Sequence, residues 1–169
     1  MTLDLSVTTV LMFSATLALL TAYSVLDLRS RMVHNEYLAL GGLLGFSLTA
    51  LSGHLATYSM LHLVAVIFVS SISYLLFRIG AIGGADAKAL LIVAIVSPGI
   101  EFATWDSPVL EALIGGGLGL FIMLLLGYAY TRWSEISKRR LHGERQTVPL
   151  IPFLLLGYIL TQVLSFLQY

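Results

Sequence analysis

The sequence contains no cysteine in 169 residues. That excludes disulfides, thiol catalysis and cysteine-based zinc sites. Charge is scarce too: 11% of residues are Asp, Glu, Lys or Arg, against about 25% in an ordinary soluble domain. The nine acids and nine bases cancel, so nothing favours bulk attraction to nucleic acid. What fills the chain is apolar, with 58% hydrophobic residues and a mean hydropathy of +0.94. This is the composition of an integral membrane protein. At roughly 20 residues per crossing, the length allows six spans with short loops and leaves no room for a separate soluble domain. The expected fold is an all-α polytopic membrane protein in which residues 1–169 form one six-helix domain. The apolar N-terminus lacks a basic leading region and is too long for a signal peptide, so it reads as a retained first helix.

Hydropathy and turn signals place the spans at about Leu5–Leu26, Tyr37–Leu51, Tyr58–Ile79, Ala89–Ile100, Pro108–Tyr130 and Val148–Leu167. Gly41 and Gly45 in the second, and Gly115, Gly116, Gly117 and Gly119 in the fifth, have the spacing that lets helix backbones approach. Pro149 and Pro152 open the sixth, where a first-turn proline costs no helical hydrogen bond. The bases Arg29, Arg31, Arg78, Lys88, Arg132, Lys138, Arg139, Arg140 and Arg145 all fall in the 1–2, 3–4 and 5–6 loops or the adjoining helix ends. Asp4, Glu101, Asp106 and Glu111 fall on the other side. The positive-inside rule then puts the basic loops in the cytoplasm and both termini outside.

The stretch Gly83-Gly84-Ala85-Asp86-Ala87-Lys88 stands out. It sets an acid at a membrane edge, directly after two residues that loosen the backbone. Asp27, at the end of span 1, is expected at the same face and a similar depth. Two carboxylates held close cannot both ionise easily, so such a pair can keep a single proton. One then activates water while the other donates a proton to the leaving group, as in aspartic proteases. The other reading is plain capping, since Asp is common at a helix N-terminus. Spacing alone leaves both open.

The residues around the two acids carry a resemblance. Asp27-Leu-Arg-Ser-Arg-Met-Val-His-Asn-Glu36, then one hydrophobic hairpin, then Gly83-Gly-Ala-Asp-Ala-Lys88, resembles the type IV prepilin peptidase family. That family includes the archaeal preflagellin peptidases and is a branch of the GxGD intramembrane aspartyl proteases. Val148-Pro-Leu-Ile-Pro-Phe153 also looks like the opening of the family's last helix. The resemblance implies a catalytic pair at Asp27 and Asp86, with Gly83, Gly84, Ala85 and Lys88 as supporting motif positions. It implies water as nucleophile, no metal and no organic cofactor. It implies prepilin-like or archaellin precursors as substrates, cut between a short basic leader and a hydrophobic helix at the cytoplasmic face of the plasma membrane. Two positions depart from the pattern. Ala85 stands where the family usually has Gly, as in archaeal-type members, and His34 stands where Pro usually precedes the Asn. Many bacterial members add a cytoplasmic domain with paired cysteines and methylate the new N-terminus. Its absence here implies a peptidase without N-methyltransferase activity.

Other polar residues read as ordinary. His54 and His62 have no third ligand at a fixed spacing that would make a metal site. His34 reads as a loop residue. Glu101, Asp106 and Glu111 read as a solvated outer loop. Lys88 and Arg78 read as interface anchors, and Lys138-Arg139-Arg140 as a run that sets orientation at anionic headgroups. Trp105, Trp133 and Tyr130 suit aromatic belts. Glu36, Glu135 and Glu144 share the cytoplasmic side, and attraction of a basic peptide is the lesser reading for them. Three other functions remain: a proton-coupled transporter, a non-catalytic scaffold of a pilus or secretion assembly, and a presenilin-like protease. The spans lack internal acids and an internal repeat, which counts against transport. The Pro-Ala-Leu signal of the presenilin group is missing near the last span.

Overall fold

A computed structural model describes residues 2–3, 6–138 and 148–166. Among them, six helices of 13 residues or more occupy the places of the six expected spans: α1 (Val7–Ser30), α2 (Asn35–Leu51), α4 (Ser59–Arg78), α5 (Gly84–Val96), α6 (Pro108–Lys138) and α7 (Ile151–Phe166). A one-turn helix, α3 (His54–Thr57), links α2 to α4. Thr2–Leu3 (β1) pairs antiparallel with Ala103–Thr104 (β2). The segments Val7–Ser30, Ser59–Arg78 and Pro108–Trp133 are long and apolar enough to cross a bilayer. The 17 residues of α2 and 16 of α7 rise about 25 Å each, and the 13 of α5 only about 20 Å.

The packing is inverted relative to a soluble protein. Leu43, Ile67 and Phe121 point outward and are more than half exposed. Thr16, Thr49, Thr161 and Gln162 are among the most deeply buried side chains. Water is absent around a bilayer-embedded bundle, so polar groups turn inward to find partners. Thr49 and Thr161, for example, donate back to the carbonyls of Gly45 and Gly157 at 2.8 Å.

α1 packs on α7, α7 on α6, α6 on α4, α4 on α5, and α5 on α2. Small residues set these approaches. A Cβ on Gly45 would collide with Val96, bringing α2 against α5 as the glycine spacing predicts. A Cβ on Gly157 would lie 2.7 Å from the Gly119 carbonyl, so α6 and α7 meet backbone to backbone.

Several boundaries move. α1 continues beyond Leu26, so Asp27 lies in its last turn rather than in a loop. α5 begins at Gly84, not Ala89, so the stretch expected to be loose is helical from Gly84 onward. α6 runs past Tyr130 to Lys138, through part of the expected polar segment. Arg139, Arg140, Glu144, Arg145 and Asp4 lie outside the described residues, as do the side chains of Glu135 and Lys138.

Candidate functional site

The first acid sits at a helix end with an unusual exit. α1 closes on Arg31, whose left-handed backbone (φ 53°) is rare outside glycine and asparagine. The Arg31 N–H donates to the Asp27 carbonyl at 2.9 Å, and the chain turns away over Met32 and Val33. Asp27 is 8% exposed. The Ile151 amide, in the first turn of α7, hydrogen-bonds its carboxylate. The Asp27 Oδ2 atom is buried with no hydrogen-bond partner among the described residues, an expensive state for a carboxylate oxygen.

The second acid sits at a helix start. α4 ends at Arg78, and Gly80 takes φ 76°, a conformation that a side chain would strain. The chain then enters α5 through Gly83, whose N–H donates to Asp86 Oδ2 at 2.9 Å. Gly83 has an ordinary extended backbone (φ −77°, ψ 161°), so its glycine is needed for space. A Cβ there would sit 2.8 Å from the same Asp86 oxygen. Asp86 therefore caps α5, as the plain reading of a first-turn Asp holds. At 9% exposure it is also buried. The Gly83 N–H favours the charged carboxylate, and the nearby Asp27 charge disfavours it.

The structure brings the two acids into one place. Asp27 and Asp86 line the same open cleft, of about 460 Å³. Its other walls are the α1 exit (Arg31, Met32, Val33), the segment 80–85, and Val148, Pro149 and Leu150 ahead of α7. Gly83, Gly84 and Ala85 are all cleft residues, so the motif forms a wall as well as supporting Asp86. Lys88 is not. It points away and donates to Asn35 Oδ1 at 2.6 Å, tying the first turn of α5 to the start of α2. His34, in the place of the family's usual proline, has φ −63°. That is the value a proline ring imposes, so the backbone at His34 is one that a proline could also adopt.

Arg31 is the residue that sequence reasoning missed. It was counted as a topology charge, yet it is a cation on the rim of the cleft in a strained conformation. No sequence signal marks a positive φ at arginine. The outer acids need a correction. Asp106 is exposed, but Glu101 and Glu111 are each 8% exposed and packed inside, because loop residues 97–103 fold into the bundle. His54 and His62 are buried beside them. Among the described residues, no group of three or more His, Asp or Glu side chains is placed to hold a metal ion.

Comparison with known proteins gave one positive result. The profile of the type IV leader peptidase family matches residues 14–166. No curated protein matches the chain, and neither does any solved structure.

Proposed function

The chain belongs to the type IV leader peptidase family, and from that premise we propose that it is a membrane aspartic endopeptidase whose catalytic pair is Asp27 and Asp86. The observation that carries this reading is the cleft itself. Two buried carboxylates, 59 positions apart in sequence, share one 460 Å³ space, and Asp86 feels the charge of Asp27. A pair in that state holds one proton between its members over a wide pH range. The ionised member takes a proton from water as it attacks the peptide carbonyl. The protonated member delivers its proton to the departing amine. Oδ2 of Asp86 is engaged by Gly83, and Oδ2 of Asp27 has no hydrogen-bond partner among the described residues. Each carboxylate is thus held by one backbone N–H, Asp86 by Gly83 and Asp27 by Ile151.

The substrate in this reading is a prepilin-like or archaellin precursor: a short basic leader, then a hydrophobic helix. The helix lies among lipid and the outward apolar faces. The leader stays in the cytoplasm, and the bond between them is drawn out straight between segment 80–85 and residues 148–150. Six crossings, termini outside and the cleft at the cytoplasmic face complete the proposal, without methyl transfer to the new N-terminus. The test is incubation of the purified protein with such a precursor, followed by mass spectrometry of the product. We expect one new N-terminus at the junction of leader and helix. An intact precursor, with proton flux through the same protein in liposomes, would favour the transporter reading instead.

A further inference from the structure

The first turn of α5 is gripped from behind. Asp86 and Lys88 are two positions apart, so they leave the helix on different sides. Asp86 lines the cleft, and Lys88 donates to Asn35 Oδ1 at 2.6 Å. Asn35 is the first residue of α2. It lies eight residues after Asp27 and is joined to the end of α1 by the short link 31–34, in which Val33 is buried. One hydrogen bond therefore connects the chain beside one acid with the chain beside the other.

Away from the acids, the helices that carry them are fixed by packing. Leu20 and Tyr23 of α1 and Ala89 and Ile92 of α5 line one small gap within the same buried cluster. α2 fits against both helices. A Cβ on Gly41 would collide with the buried Tyr23, and a Cβ on Gly42 would lie 3.3 Å from Ile92. Past Tyr23 and Ala89, toward Asp27 and Asp86, the open cleft of about 460 Å³ begins. An open space has no atoms with which to hold one carboxylate at a set distance from the other. The first turn of α5 bears instead on α4, where a Cβ on Gly84 would lie 3.5 Å from Phe77, and on α2 through Lys88. The first contact leads to a helix that carries neither acid. The second leads to the chain that leaves Asp27.

We propose that Lys88 and Asn35 are positioning residues for peptide hydrolysis: their hydrogen bond braces the first turn of α5 against the start of α2 and so sets the separation of Asp86 and Asp27. This role rests on the reading of those two acids as the catalytic pair. A charged donor makes the bond one of the shorter and stronger kind. Both partners are exposed, so removing either leaves no cavity in the core. The consequence is geometric. Two carboxylates must meet one water and one peptide bond together, and a misplacement of about 1 Å can cost on the order of 100-fold in rate. Without the brace, the α5 turn is free to shift beside the cleft. The walls at 80–83 and 148–150, between which the substrate is drawn out, stay in place. The loss therefore falls on kcat and leaves KM unchanged.

The test is a double-mutant cycle on the full chain in lipid nanodiscs: Lys88→Met, Asn35→Leu and the two combined, all given the same precursor. We expect each single variant to melt with the wild type, to keep its KM and to lose roughly tenfold in kcat. The double variant loses no more than the worse single one, because both remove the same bond. Asn35→Asp, which keeps an acceptor oxygen for the ammonium, retains most of the rate. Wild-type kcat in either single variant, losses that multiply in the double, or an equal loss in Asn35→Asp overturns the brace. A second measurement judges it without catalysis. The chain has no cysteine, so spin labels on Leu28→Cys and Ala85→Cys report the distance between the end of α1 and the first turn of α5. We expect one narrow distance distribution, broadened alike by Lys88→Met and by Asn35→Leu. A distribution that neither change alters overturns the proposal. Broadened distances in a protein whose wild type cuts no precursor contradict the proposed function and leave the brace standing.

Discussion

At the scale of single residues, the site rests on one short contact. Gly83 is glycine because its N–H must reach Asp86 Oδ2 at 2.9 Å, with 2.8 Å left for any Cβ. Gly83→Ala should push the carboxylate aside and lower kcat/KM at least ~10-fold, the equivalent of about one hydrogen bond to a charged group. Ala85, which lines the cleft without such a contact, should tolerate Gly at little cost.

At the scale of elements, the bundle is set by where backbones touch. Gly157 meets the Gly119 carbonyl at 2.7 Å, whereas a Cβ on Gly117 would rest 3.9 Å from the Phe68 ring. Gly157→Ala should destabilise by roughly 1–3 kcal/mol, because neither backbone can yield without shifting a helix. Gly117→Ala should be neutral or slightly stabilising, since alanine is the better helix former. Comparing the two melting temperatures checks this. The same helices show what could be read from the sequence alone. Six apolar runs, the glycine faces and the breaks near Arg31, Gly53, Gly80 and Pro108 were visible as composition and spacing. The start of α5 was not. Gly83-Gly84 reads locally as a helix breaker, yet one Asp side chain caps the helix there and lets it begin five residues early. The burial of Glu101 and Glu111 was hidden for a similar reason. Charge pattern says which side of a membrane a loop lies on, not whether it folds into the bundle to meet His54.

At the scale of the whole molecule, the fold joins segments distant in sequence at one end of the bundle. Asp27 arrives on α1, Asp86 on α5, and residues 148–150 ahead of α7. The membrane orientation can be checked with the chain's own lack of cysteine. A single Cys introduced for exposed Asp106 should react with an impermeant maleimide added outside intact cells, and one introduced for exposed Met32 should not. The pairing of the two acids was legible from the charge asymmetry, which predicts one face for both, and from the motifs around them. That they line the same cleft depends on α1 and α5 each running to the edge where the chain turns, which no local pattern encodes. The account stands most directly on one measurement. Wild-type protein, Asp27→Asn and Asp86→Asn, each shown to be folded by its melting transition, are incubated with the same precursor, and the released N-terminus is weighed. The account predicts a single product from the wild type and none from either variant. Wild-type yield of that product from either variant would contradict it.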